Sequence, residues 1–266
     1  CDARMTVHQR HGELRCHHCG HVERVPRHCP QCGKVDLRPV GAGTERAEER
    51  LGILFPDYPV LRVDRDSTSR KDAMNQLFTT IQKGQPCILV GTQMVTKGLD
   101  FDHVSVVGIL NADNLMRFPD FRAHERGFQL ITQVAGRAGR REVQGQVFIQ
   151  TNQPMHRLFT YIQEGNYEQL YADEMIEREG YHYPPFTRLI KLVMRHFEAR
   201  NVETAAKDLG QLLKAKFGNG RVLGPEKPLI ERIRNQYAME ILIKLEKGVA
   251  LAAFKKQLRE ELDTLS

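Results

Sequence analysis

Long apolar runs are missing from this chain of 266 residues. The longest nearly apolar stretches, residues 87–90 and 104–110, fall far short of the roughly 18 residues a membrane span requires. No apolar signal segment opens the chain, so a soluble protein with no membrane partner is expected. Glycine (21) and proline (12) are too sparse, and no residue type dominates a window, for a collagen-like or wholly disordered chain. A phosphate-binding loop is also missing. Gly-x-x-x-x-Gly-Lys-Ser/Thr does not occur, because Gly33-Lys34 is followed by Val35 and no other Gly-Lys pair exists. Nor does an Asp-Glu-x-x box appear early; Asp173-Glu174 comes late, in an expected helix. Without a cradle for the β- and γ-phosphates or a hydroxyl for Mg²⁺, the chain alone is not expected to hydrolyse ATP. What is present, 41% hydrophobic residues in 30.5 kDa, suffices for one large or two ordinary cores.

Charge is uneven. The net +6 divides into 7 basic against 4 acidic residues over 1–40, 16 against 19 over 41–180, and 16 against 10 over 181–266. Basic ends flanking a mildly acidic middle suggest a nucleic-acid or phosphate partner touched by the flanking modules, since counterion release rewards clustered Lys and Arg. An ordinary solvated basic surface is the competing explanation.

Five of the six cysteines fall within the first 32 residues, as Cys1, Cys16-His-His-Cys19 and Cys29-Pro-Gln-Cys32. Two thiolates two residues apart can close a knuckle around one ion, and Gly20 and Gly33 supply the permissive backbone behind each pair. With no secretion signal and an odd Cys87 in an apolar run, structural zinc is favoured over disulfides. Read from spacing alone, Cys16, Cys19, Cys29 and Cys32 would form one four-thiolate site, closed to water and therefore structural. The chain opens on Cys1 rather than Met, and a metal-type pair would need a thiol two residues upstream, so a fragment of a longer protein is expected.

Beyond the cysteines, Thr44 is read as the N-cap of a helix with acids in its first turn. The two glycines before it are turn residues, because the third glycine of a dinucleotide fingerprint is absent. Strands are expected at 60–63, 87–90, 104–110 and 146–149, with helices from 69 to 84 and over 121–134. Strands separated by helices argue for a parallel sheet. A helical stretch over 158–179 leads to Tyr183-Pro-Pro-Phe186, a domain boundary. A strand (189–194), helix (201–217), strand (237–245) and final helix (from about 248) then make a small α+β module.

Two segments are more specific. Gln133-Val-Ala-Gly136-Arg137-Ala-Gly139-Arg140 resembles the Gln-x-x-Gly-Arg-x-Gly-Arg motif of superfamily 2 helicases, and Gly91-Thr-Gln-Met-Val-Thr-Lys-Gly98-Leu-Asp100-Phe101 looks like the motif preceding it. With a Cys-rich insert before and a small α+β domain after, the chain is similar to the C-terminal half of the PriA family, the bacterial primosomal replication-restart helicases. The resemblance implies an α/β fold: a RecA-like helicase lobe (40–157), an inserted Cys-rich zinc-binding segment (1–39), a helical linker (158–180) and a C-terminal α+β DNA-binding domain (181–266). It implies a cytoplasmic, ATP-dependent DNA helicase that recognises stalled or branched forks and initiates primosome assembly.

The site residues follow from the same resemblance. Arg137 and Arg140 would be guanidinium fingers stabilising charge on the γ-phosphate, with Gln133 bonding nucleotide or water. Gly98 and Asp100 would lie near the nucleotide. Thr92, Gln93 and Lys97 would meet the DNA backbone, and Arg232 and Arg234 are the choice for DNA contacts in the last module. ATP, Mg²⁺ and two Zn²⁺ are the cofactors implied for the intact protein. Its implied partners are single-stranded and branched DNA, single-strand-binding protein and other primosome proteins. The family's interleaved pairing would give Cys1, Cys16 and Cys19 to one zinc and Cys29 and Cys32 to another, and it stands beside the single-site reading as an open alternative. A different class remains: a non-catalytic zinc-bearing docking module for nucleic acid or protein.

Overall fold

The computed structural model describes residues 1–3, 5–8, 12–35, 37, 43–64, 79, 84–92, 104–139 and 145–263. The helix expected from 69 to 84 and most of the segment 91–101 lie outside the described residues. Two compact units are present, Cys1–Leu37 together with Ala172–Ser266, and Arg38–Tyr171. No helix among the described residues is long and apolar enough to cross a membrane.

The first unit begins with three short antiparallel strands, β1 (Thr6–His8), β2 (Glu13–Arg15) and β3 (Val22–Arg24), in that order. Its larger part is a sheet built on β11 (Gln236–Glu246). That strand pairs antiparallel along its length with β8 (Thr187–His196), and also with β9 (Val222–Glu226) and β10 (Arg232–Ile233). Alternation on β11 puts Met239, Ile241, Ile243 and Leu245 inside, as a half-buried strand requires. Two helices supply the matching stripe: Leu209, Leu213 and Phe217 from Ala199–Phe217, and Phe254 and Leu258 from Leu251–Asp263. Phe217 and Phe254 pack with ring centroids 4.6 Å apart. Between Glu240 and Leu242 the β11–β9 register slips. Gly224 approaches there at φ +92°, and a Cβ on it would stand 2.9 Å from the Glu240 carbonyl oxygen. The Gly-Pro interior of β9 gives it no strand signal in the sequence.

The second unit contains two parallel strand pairs, β4 (Val60–Val63) with β5 (Ile88–Gly91), and β6 (Val106–Ile109) with β7 (Gln146–Ile149). Helix α1 (Thr44–Leu54) precedes β4. Its N-cap is Gly43 rather than Thr44, and no side chain caps it. The Thr44 hydroxyl instead donates to Asp64 Oδ2 at 2.6 Å, joining a largely buried cluster in which Arg62 meets Glu45 at 2.9 Å and Asp64 at 3.3 Å. Burial opposes the Arg62 charge, but the hydrogen bond to Glu45 and the nearby acids hold its pKa above the ordinary value. A long-range use of the hydroxyl therefore displaces the local cap that sequence favours.

From β6 the chain crosses to β7 through α2 (Asp113–Met116) and α3 (Ala123–Ala135), with Ile131 of α3 buried against Ala112 and Phe159. The helical stretch expected over 158–179 is two helices, α4 (Arg157–Glu164) and α5 (Tyr167–Gly180). Gly165, at φ +64°, closes the first, and the Asn166 side chain opens the second by accepting from the Gln169 amide at 3.0 Å. In the first unit α6 is Ala199–Phe217 and α7 is Leu251–Asp263.

Candidate functional site

The first cysteine pair is a hairpin loop. Cys16 follows β2 and His21 precedes β3; the Cys16 amide donates to the His21 carbonyl at 2.9 Å, and the Gly20 amide to the Cys16 carbonyl at 2.9 Å. The second pair repeats the pattern, with the Cys29 amide on the Lys34 carbonyl and the Gly33 amide on the Cys29 carbonyl, both at 2.8 Å. Gly20 and Gly33 turn at φ +79° and +71°, a region costly for a side chain. The same five-residue wording thus folds twice into the same knuckle.

Amides behind each knuckle aim at sulfur. The His21 amide lowers the pKa of the Cys19 thiol, with help from Cys16; the amides of Cys32 and Gln31 do the same for Cys29. Both favour the thiolate, the form that binds metal. Cys87, by contrast, is pushed up by burial, as expected of an inert packing thiol.

Cys1, Cys16 and Cys19 come together, their sulfurs all within 4.8 Å of one another. Three sulfurs on one zinc, at Zn–S of about 2.3 Å in tetrahedral array, lie about 3.8 Å apart, so this donor set fits zinc after a small contraction. Cys29 and Cys32 lie outside that group. Cys1 thus joins the first knuckle, and the second knuckle is not part of that cluster.

Cys1 reaches the knuckle beside a hairpin from the far end of the chain. Strands β10 and β11 are joined by the two residues Arg234 and Asn235, both at positive φ (51° and 62°), the signature of a type I′ turn. The Arg234 amide donates to Cys1 Sγ at 3.2 Å. The Asp2 amide donates to the Arg232 carbonyl at 3.0 Å, and the Asp2 carboxylate pairs with the Arg232 guanidinium at 3.1 Å. Arg232 also lies 5.4 Å from the centroid of the Tyr237 ring. Of the two arginines chosen for DNA, Arg232 is therefore engaged by Asp2 and Tyr237, while Arg234 presents an exposed side chain. Nothing in the sequence pattern marks Asp2 as the partner of Arg232, apart from its place next to Cys1.

In the second unit, Gln133 lies on the last turn of α3 and Arg137 just past its end, where Gly136 and Arg137 donate back to Thr132 and Val134. The segment is then pinned: Ala138 bridges Val104, and the Gly139 amide donates to the Val104 carbonyl at 3.0 Å. Gln133 is exposed and Arg137 half-buried. Gly145, which belongs to no motif of the sequence, presses on this turn; a Cβ there would lie 2.4 Å from the Gly139 nitrogen. Thr92 follows β5 and is exposed. Gln93, Lys97, Gly98, Asp100 and Arg140 lie outside the described residues.

A shallow cleft of about 300 Å³, lined by Asn111, Asp113, Gln150, Thr151 and Asn152, opens at the carboxyl ends of β6 and β7. Asp113 is buried there and accepts from the Thr151 hydroxyl at 2.7 Å and the Asn152 amide at 2.9 Å. These bonds, the Asn152 amide foremost, hold its pKa below the ordinary carboxylate value.

Three family models match in chain order. The PriA DNA helicase Cys-rich region domain covers residues 1–24, the helicase conserved C-terminal domain 42–142, and the primosomal protein N C-terminal domain 179–265. In all three regions, and in their order, the chain resembles PriA. It is 41% identical over 261 residues to the replication restart protein PriA of Bacillus subtilis, covering 98% of this chain and 32% of that protein. It is 40% identical over 263 residues to that of Haemophilus influenzae, covering 98% and 35%, and 40% identical over 249 residues to that of Synechocystis, covering 92% and 30%. The chain thus spans about a third of the length of these PriA relatives. The expected α/β helicase lobe with a Cys-rich segment and a further C-terminal domain agrees with these matches, and the Cys-rich match with the thiol cluster points to zinc.

Proposed function

We propose that this chain supplies the second motor lobe, Cys-rich insert and C-terminal module of an ATP-dependent DNA helicase that recognises stalled or branched forks and initiates primosome assembly. The observation that carries the reading is the order of the parts. A helicase-type lobe carrying Gln133 and Arg137 on a pinned helix end is flanked by the Cys-rich and C-terminal regions of a replication-restart family.

In this reading Arg137 and Arg140 present guanidiniums to a nucleotide, and Gln133 orients nucleotide or water. A loose phosphoryl-transfer transition state spreads negative charge over the γ-oxygens, and permanently charged, pre-positioned cations lower its energy. Gly98 and Asp100 stand near the nucleotide. The phosphate cradle and the Mg²⁺ ligands belong to a separate P-loop lobe, because the sequence has no such loop. Thr92, Gln93 and Lys97 contact the DNA backbone without reading bases. Cys1, Cys16 and Cys19 hold one zinc, Cys29 and Cys32 contribute to a second, and the metal's role there is structural cross-linking. Arg234, with Arg232, meets DNA from the C-terminal module. Single-stranded and branched DNA, single-strand-binding protein and other primosome proteins are the proposed partners of the complete protein, and the cytoplasm its place.

The test uses a protein that joins this chain to a P-loop lobe. Arg137→Ala and Arg140→Ala should each cut DNA-stimulated ATP turnover by about 10³-fold, with DNA affinity held within about threefold. Unchanged turnover would remove the finger assignment. A joined protein with no DNA-stimulated turnover at all would favour the docking-module reading.

A further inference from the structure

We propose that the β10–β11 hairpin is the outer support of the Cys1–Cys16–Cys19 metal site, so that metal retention by the Cys-rich segment and the stability of the hairpin are coupled. This rests on the zinc reading of those three thiols. Two of the three ligands position themselves: Cys16 and Cys19 sit in a knuckle closed by its own backbone bonds. Cys1 lies outside β1–β3, and its placement is shared with residues more than two hundred positions away.

Three contacts of different kinds hold it. The Arg234 amide donates to the Cys1 sulfur at 3.2 Å. The Asp2 amide donates to the Arg232 carbonyl at 3.0 Å, extending the hairpin's backbone pattern by one strand residue. The Asp2 carboxylate meets the Arg232 guanidinium at 3.1 Å, and that guanidinium is itself oriented over Tyr237. An amide aimed at a ligating sulfur stabilises its negative charge, and partners that fix a ligand's orientation typically govern metal affinity by 10- to 100-fold. The two-residue turn makes this possible, since the amide of its first central residue lies outside the β10–β11 ladder and can meet the sulfur. Coupling of this kind is reciprocal: whatever the hairpin adds to metal binding, the metal adds to the hairpin.

The experiment measures zinc release from the full chain to a chromogenic chelator, with Co²⁺ substitution to follow thiolate absorption. The zinc lost on Cys1→Ser identifies the site; equal zinc content in wild type and Cys1→Ser would overturn the metal reading itself. Asp2→Asn and Arg232→Ala should each release that zinc about tenfold faster. The exchanged pair Asp2→Arg with Arg232→Asp should return the rate to within about threefold of wild type, a rescue that general destabilisation would not give. Lys191→Ala, which breaks the Lys191–Glu240 pair elsewhere on the same sheet, should leave release unchanged. Release within twofold of wild type in both single variants, or an exchanged pair no slower than Arg232→Ala, would overturn the coupling.

Discussion

Gly145 has no room for a side chain. A Cβ would sit 2.4 Å from the Gly139 nitrogen, 2.5 Å from the Ala138 carbonyl carbon and 2.6 Å from the Ala138 Cβ. Two of these are backbone atoms, which cannot move aside by changing a rotamer, so relief requires shifting the turn that follows Arg137. Gly145→Ala should therefore destabilise the Arg38–Tyr171 unit by about 3 kcal/mol, the upper end of overpacking costs, read as a lowered urea midpoint; a midpoint equal to wild type would contradict the close approach. Asp113 is a second residue with a definite signature. Its folded pKa lies below the ordinary value, held by the Asn152 amide and the Thr151 hydroxyl. The stabilisation is present above the unfolded value of about 3.9 and is lost as pH falls through the folded one. Asp113→Asn should accordingly lower the urea midpoint most at pH 7, with the loss shrinking as the pH falls below about 3.9. A loss that does not shrink would show that the carboxylate charge is not what the bonds stabilise.

At the scale of elements, the β10–β11 turn is strained where glycine is absent. Arg234 and Asn235 both adopt positive φ, and type I′ turns favour glycine at the second place. Asn235→Gly should raise stability by about 0.5–1 kcal/mol, since asparagine tolerates this region only at some cost. The check is the melting temperature of the zinc-loaded chain, and a fall would mean that the Asn235 side chain makes a compensating bond. Local pattern made much of this architecture legible. Strands at 60–63 and 146–149 agree with the residues expected, and the helix over 201–217 lies within Ala199–Phe217, because continuous periodicity coincides there with the buried face. Signals failed where a nonlocal partner decided the outcome. Thr44 gives its hydroxyl to Asp64 rather than capping α1. β9 is held by β11 across a bulge that its own Gly-Pro sequence conceals; the split at Gly165 is by contrast a local left-handed cap inside a stripe that reads as one helix. The site divides the same way. Each Cys-x-x-Cys-Gly is a local signal and folds as its wording suggests, whereas the company of Cys1, the pairing of Asp2 with Arg232 and the pressure of Gly145 are long-range facts with no periodic trace.

The chain as a whole has two units whose sources of stability differ. Strands β1–β3 are three residues each, and within Cys1–Leu37 the buried residues among those described are His8 and Cys16, too little apolar surface to offset the entropy of ordering the segment. A zinc held by the knuckle thiolates would supply what a core does not. The remainder of that unit carries its own nine-residue cluster of buried side chains between sheet and helices, and Arg38–Tyr171 has separate clusters around Ile131 and Phe128. Chelation should therefore act in graded fashion. Removing zinc should abolish hydrogen-exchange protection of amides in β1–β3 and loosen the β10–β11 hairpin that meets Cys1 and Asp2, while leaving the centre of β11 and all of α3 protected. Exchange measured by mass spectrometry with and without chelator separates these segments. Undiminished protection of β1–β3 would mean that the Cys-rich segment holds itself together without metal. Loss across α3 would mean that the two units share stability that their separate cores do not predict.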